Sequence, residues 1–251
     1  MDQKIKVAVI GTGALGKHHA RIYAELAKEG LIECVGVYDQ NILAAKEVAN
    51  QHRIPLLQTM EEATELADAL SVVTPTITHF SIASGLLEKG KHLLVEKPMT
   101  DNTEQAKRLV ELACKKNCVL QIGHVERFNP VFTYLNASAK EPKFIETHRL
   151  SPYPARSTDI GVVLDLMIHD LDIVLAFVKS NVVQVDSAGV SVLSKSADIA
   201  NARLKFANGC VANLTVSRIS PERMRKIRVF SGGEEASYIS LDYQKQEGFI
   251  Y

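Results

Sequence analysis

Asp165, His169 and Asp172 interrupt an otherwise apolar stretch, LDLMIHDLDIVL, at residues 164–175. A helix turns by about 100° per residue. Their i, i+4, i+7 spacing therefore places them on one helix face, within about 60° of each other. Leu164, Met167, Leu171, Val174, Leu175 and Val178 are expected on the opposite side. A histidine one turn from a carboxylate is equipped to take up a proton, with the acid orienting the ring and stabilising its cation. A solvated face more often carries Lys, Glu, Gln or Arg, and this stripe has none. The same stripe also suits a surface helix whose N-terminal acids are favoured by the helix dipole. The stripe alone does not choose between the two.

A second reactive position is Lys97, in HLLVEKPMT at 92–100. The apolar run reads as a strand, and open parallel sheets bind ligands beyond the C-terminal ends of their strands. Pro98 restrains the backbone there. VVTPTITH (72–79) ends the preceding strand in the same way. Thr74, Pro75, Thr76, His79, Glu96 and Lys97 are therefore expected along the cofactor side of a cleft. The alternatives are an ordinary surface lysine and an ordinary helix-start histidine.

The third constellation is VIGTGALGKHHA, with Gly11, Gly13 and Gly16 in G-x-G-x-x-G order. It follows a strand pattern, opens a helix pattern and is followed by Asp39 at the end of the second strand. That context is the dinucleotide fingerprint. Gly11 allows the tight turn, Gly13 the close approach of backbone to pyrophosphate, and Gly16 close packing of helix on strand. The loop Gly11, Thr12, Gly13, Ala14, Leu15, Gly16 is expected to hold the pyrophosphate at the helix N-terminus. Gly11 to Lys17 also reads as G-x-x-x-x-G-K, but His18 stands where a P-loop needs Ser or Thr for magnesium. Asp39 accepts from ribose hydroxyls and repels a 2′-phosphate, and no arginine follows closely, so NAD is favoured over NADP.

These groups need a scaffold. Residues 1–123 alternate β-rich runs with helical patterns: strands at 6–10, 32–39, 69–74, 92–96 and 118–123, helices at 16–30, 41–52, 78–89 and 103–117. Strands apolar on both faces between helices imply a parallel sheet covered on both sides. From 124 to 251 the pattern changes: a helix near 129–138, a strand at 143–150, the acid-striped helix, then nearly all strand. Asn208-Gly209 between alternating runs is a strong hairpin signal, and Gly232-Gly233 marks another turn. The expected architecture is an α/β Rossmann domain followed by an α+β domain with an open, largely antiparallel sheet. The alternation also puts Asn201, Arg203 and Lys205 on one face, either solvated or a wet subunit interface.

Lys plus Arg equals Asp plus Glu at 29 each, which argues against nucleic-acid or membrane-surface binding. The N-terminal apolar run is too short for a signal peptide or a membrane span, so a cytoplasmic location is expected. Cys34, Cys114, Cys118 and Cys210 form no metal-ligand pattern and read as reduced thiols, with no metal site expected.

GTGALGKHHARIY, VVTPTITH, VEKP, GHVERFNP and DLMIHDLD occur in that order. Together they resemble the Gfo/Idh/MocA family of sugar and polyol dehydrogenases, across essentially the whole chain. The resemblance implies NAD(P)-dependent hydride transfer, a Rossmann domain followed by an open-sheet domain, and homo-oligomers formed through that sheet. Family chains are usually longer, so the second domain is expected to be shortened at its C-terminus. The family's active-site lysine falls on Lys97, and its D-x-x-x-H-x-x-D helix on Asp165, His169 and Asp172. GHVERFNP with RLSPYPARSTDIGVVLDLMIHDLD resembles, more narrowly, the branch acting on UDP-N-acetylglucosamine, which oxidises the 3-hydroxyl. Inositol or a free sugar as substrate, and a non-catalytic dinucleotide sensor, are the alternatives.

Alcohol oxidation needs a group to take the hydroxyl proton, and Lys97 and His169 both qualify. A neutral lysine near pH 7 requires a pKa lowered by about 3 units, at a cost of about 4 kcal/mol. A histidine requires almost no shift. His169 is therefore expected as base, Asp165 as its orienting acid and Lys97 as the cation that stabilises developing alkoxide. The reverse assignment stays open, because a lysine in a dry cleft does shift. Arg127, Asn129, Arg149 and Arg156 are candidates for substrate contact, with Asp172 beside them, because arginine suits a diphosphate.

Overall fold

A computed structural model describes residues 4–153, 160–233 and 236–251. The chain divides into two compact units, Met1–Gly123 and His124–Tyr251.

The first unit runs β1 (Lys6–Ile10), α1 (Gly16–Lys28), β2 (Glu33–Tyr38), α2 (Ile42–His52), α3 (Met60–Leu66), β3 (Ala69–Val72), α4 (Thr76–Glu88), β4 (His92–Val95), α5 (Thr103–Lys116) and β5 (Leu120–Ile122). The strands form one parallel sheet in the order β2-β1-β3-β4-β5. Apolar clusters pack on it, one including Leu70, Leu87, Leu93 and Leu109, another including Val9, Val37 and Val48. The helices start where side chains satisfy their free amides: Asn41, Thr59 and Asn102 each accept from a first-turn N–H. Arg53 and Asn117 close α2 and α5 in the left-handed conformation. The short helix α3 was not expected; with only seven residues it shows too little periodicity to read.

Register decides where the chemistry can gather. Ile10 pairs with Val72, Val72 with Val95, and Val95 with Ile122. The four strands thus end level, and the loops after Ile10, Val72 and Val95 leave the same sheet edge. Strand order reverses between β1 and β3, which is the switch point where such sheets take ligands.

The second unit opens with a 3-10 turn (Val125–Phe128) and continues with α6 (Pro130–Ser138), β6 (Pro142–Leu150), a π-helical turn (Val163–Met167), α7 (Ile168–Val178), β7 (Val182–Val190), β8 (Ile199–Phe206), β9 (Val211–Ser217), β10 (Met224–Ser231), β11 (Ser237–Asp242) and β12 (Glu247–Ile250). Its seven-stranded sheet has the order β12-β11-β10-β6-β9-β8-β7, antiparallel except between β6 and β9. One face packs with α6 and α7 into a core including Leu135, Ile173, Phe177, Leu204 and Leu214. Strand β8 alternates strictly, burying Ala200, Ala202, Leu204 and Phe206 and exposing Asn201, Arg203 and Lys205. The Asn208-Gly209 turn joins β8 to β9, with Gly209 at φ +86°. Among the described residues no helix is long and apolar enough to cross a membrane.

Candidate functional site

The glycine loop between β1 and α1 has the geometry its three glycines suggest. Gly11 has φ +95°, and a Cβ there would lie 2.5 Å from the Val73 carbonyl oxygen, so no other residue fits without a shift. A Cβ at Gly16 would overlap the Gly11 carbonyl oxygen. Gly13 is different: a Cβ there meets nothing within 4 Å, so the protein itself does not require glycine. The space is open on the exposed side, where Gly13, Ala14 and Leu15 lead into α1, whose first turn has no side-chain cap. Such a helix start presents N–H groups to an anion. A dinucleotide pyrophosphate fits this cradle.

Asp39 fixes the loop from the side. Its Oδ2 accepts from the Thr12 amide at 2.7 Å and the Thr12 hydroxyl at 3.0 Å, and its Oδ1 accepts from the Asn41 amide at 2.8 Å. Thr12 is buried, and its hydroxyl serves the loop. The half-exposed Asp39 carboxylate keeps lone pairs for ribose hydroxyls.

Beyond β3, Thr74 and Thr76 are half-buried and Pro75 is exposed at the start of α4. His79 is only 1% exposed, with Nε2 2.8 Å from the Thr74 carbonyl and Nδ1 2.9 Å from the Pro98 carbonyl. Both ring nitrogens face backbone carbonyls on two loops, and a neutral imidazole donates to one of them. Glu96 is likewise engaged by protein groups. It is 7% exposed, its Oε2 accepts from the Lys97 amide at 3.1 Å, and its Oε1 lies 3.0 Å from His19 Nε2. Lys97 follows β4 at the sheet edge and is half-buried.

His19, on α1, is not among the residues singled out by spacing. Its Nδ1 lies 3.2 Å from Ser71 Oγ, which lies 2.7 Å from the Tyr23 hydroxyl. Burial pushes the Tyr23 phenol up, so it keeps its proton. The i, i+4 spacing of His19 and Tyr23 was the available signal.

In the second unit, Asp165 lies within the π-helical turn and His169 in the first turn of α7, both half-buried. Their continuous α-helix is corrected at this point: the chain widens by one residue per turn across 163–167. Single π turns recur at functional sites. The buried face is also corrected. Met167, Asp170, Ile173, Val174, Phe177 and Val178 face inward, whereas Leu175 is exposed.

Asp172 is held by Arg127, whose Nε and Nη2 each donate at 2.7 Å to one carboxylate oxygen. The Arg127 guanidinium is half-exposed. Asn129 caps α6: its Oδ1 accepts from the Val131 amide at 3.0 Å, and its Nδ2 lies 3.2 Å from Glu126 Oε2. Arg149 is corrected as well. It is 3% exposed, donates to Asp170 through Nε at 3.2 Å and Nη2 at 2.9 Å, and to Glu126 at 3.1 Å. Burial opposes the Arg149 charge, but Asp170 and Glu126 outweigh it and hold its pKa above the ordinary value. Arg156 lies outside the described residues.

Family models match both units. Residues 5–124 match the model described as "Oxidoreductase family, NAD-binding Rossmann fold", and residues 122–239 match the GFO/IDH/MocA C-terminal domain. The chain belongs to the GFO/IDH/MocA family of oxidoreductases. Its first unit is therefore an NAD-binding Rossmann fold. This family member is 39% identical over 248 residues to UDP-N-acetylglucosamine 3-dehydrogenase of Acidithiobacillus ferrooxidans, a match covering 98% of the chain and 77% of that relative. It is 26% identical over 246 residues to scyllo-inositol 2-dehydrogenase (NAD(+)) of Bacillus subtilis, covering 88% of the chain and 69% of that relative. A solved structure of the Acidithiobacillus ferrooxidans enzyme superposes with a TM-score of 0.90 at 38% identity, over 99% of this chain and 80% of that one.

Proposed function

We propose that the chain oxidises the 3-hydroxyl of UDP-N-acetylglucosamine with NAD. The 39% identity to an enzyme of that activity, spread over 98% of the chain, carries this reading. NAD supplies the hydride acceptor when bound. His169 takes the hydroxyl proton, Asp165 orients the imidazole, and Lys97 donates to the hydroxyl oxygen as negative charge develops. Asp39 selects NAD by accepting from the ribose hydroxyls and repelling a 2′-phosphate. Arg127 reaches the diphosphate by leaving Asp172, because its planar fork suits either anion. Arg156 is a second candidate for that contact. The reaction is assigned to the cytoplasm, where thiols such as those of Cys34 and Cys210 stay reduced.

The test is NADH absorbance after mixing the chain with NAD and UDP-N-acetylglucosamine, with an aminotransferase and its amino donor present to pull the equilibrium. NADH forms with NAD, and no signal appears with NADP. Intact NAD binding without turnover would sink the nucleotide-sugar reading and favour an inositol or a free sugar. Protection of the fold by UDP alone separates these, since only a nucleotide-sugar site holds a diphosphate.

The open face of the second sheet is assigned to self-association. It carries Asn201, Arg203 and Lys205, hydrogen bonded in part to β9 through Asn201–Thr215 at 2.9 Å and Arg203–Asn213 at 2.9 Å. Phe144, Phe230, Tyr238 and Tyr251 form an aromatic row across the same face, with successive ring centroids 5.6, 4.7 and 5.6 Å apart. Aromatic anchors among polar residues suit a hydrated protein interface.

A further inference from the structure

Lys97 stands between two histidines that come from different helices. On its N-terminal side, Glu96 accepts the Lys97 amide through one carboxylate oxygen and meets His19 Nε2 through the other, at 3.1 and 3.0 Å. On its C-terminal side, the Pro98 carbonyl lies 2.9 Å from His79 Nδ1. His19 belongs to α1, the helix that opens at the cofactor cradle, and His79 to α4, which opens at Thr76.

We propose that His19 and His79 are positioning residues, a two-sided clamp that fixes the backbone of Lys97 relative to the glycine loop and the Thr74–Thr76 loop. This rests on the reading of Lys97 as the group acting on the substrate hydroxyl.

The chemistry of the contacts supports the assignment. A neutral His19 is fully satisfied: Nε2–H donates to Glu96, Nδ1 accepts from the Ser71 hydroxyl, and Ser71 accepts from Tyr23. That chain runs from α1 through β3 to the end of β4. Gly123 closes it from below, because a Cβ there would come within 2.6 Å of Glu96 Oε1. A lysine stem has four rotatable bonds, so the position of its ammonium depends in part on how its backbone is held. A displacement of about 1 Å at a catalytic group lowers turnover by about 100-fold. A clamp whose two rings are engaged by protein groups acts on that aim and leaves cofactor affinity alone.

The test compares the full chain with its His19→Leu, His19→Gln and His79→Leu variants. Backbone amide exchange at Lys97 is followed by NMR, beside NAD affinity, KM and kcat. In His19→Leu, Lys97 exchange rises and kcat falls by about 10- to 100-fold, with NAD affinity and sugar KM nearly unchanged. His79→Leu lowers kcat in the same way. His19→Gln, whose amide can donate to Glu96 and accept from Ser71, restores most of both losses. Unchanged exchange and kcat in His19→Leu would overturn the clamp, as would loss of NAD affinity in parallel with kcat. Should the leucine variants not fold, Ser71→Ala removes the Nδ1 contact together with the Tyr23–Ser71 bond and leaves His19 on Glu96. It raises Lys97 exchange to a lesser degree, and no rise at all would overturn the clamp. An inactive parent chain whose Lys97 exchange still responds would count against the proposed substrate and for the clamp.

Discussion

Asp39 is engaged before any cofactor arrives. Its two oxygens already hold Thr12 and Asn41. Asp39→Ala therefore does two things. It removes the barrier to a 2′-phosphate, so the preference for NAD over NADP narrows. It also leaves the buried Thr12 amide and hydroxyl without an acceptor, at a cost of about 1–3 kcal/mol. Cofactor titrations and a denaturant melt on the same variant separate the effects. The glycines separate in the same manner. In Gly13→Ala the added Cβ meets no neighbouring atom, so stability changes little while NAD binding weakens. Gly11→Ala strains a φ of +95° and strikes Val73, so the fold itself loses stability. Equal melting of the two variants would overturn this division. These residues were legible because each role needs a particular residue type in a local order. His19 and His79 were not, since their partners Glu96, Ser71, Thr74 and Pro98 lie on other elements and only the fold brings them together.

At the scale of elements, α7 shows why a helix face read by spacing alone goes partly astray. Asp165, His169 and Asp172 were picked out by their period, but the π turn shifts the helix face beneath them. Asp170 points into the core and meets Arg149 from β6. An acid at the buried position between Met167 and Val174 was a signal that a buried cation must face it. Arg149, a candidate for substrate contact by residue type, is that cation. Removing one partner of such a pair leaves an uncompensated buried charge, so Arg149→Met destabilises the second unit by about 3–5 kcal/mol. Chemical denaturation measures this, and a change below 1 kcal/mol would show that α7 is not anchored here. Arg127→Ala, by contrast, removes a half-exposed partner and changes stability little.

For the whole molecule, the boundary at 123/124 was legible from grammar: strands apolar on both faces give way to strictly alternating ones. The order of the second sheet was not, because alternation tells which face a residue takes and not which strand lies beside it. Its open face carries the association prediction. Tyr238→Glu with Phe230→Glu places charges in the aromatic row, and light scattering should then report a smaller particle. Unchanged mass would move the interface elsewhere. The same sheet has a temporal consequence. Strand β6 lies at its centre, yet its two neighbours, β9 and β10, begin only at Val211 and Met224. As the chain emerges from a ribosome, the Rossmann unit has all its strands while β6 still waits with both edges unpaired. Long-range pairing of this kind is slow, and bare edges invite association with other chains. The stage most exposed to misfolding is a half-made second unit, when a chaperone would find β6 uncovered.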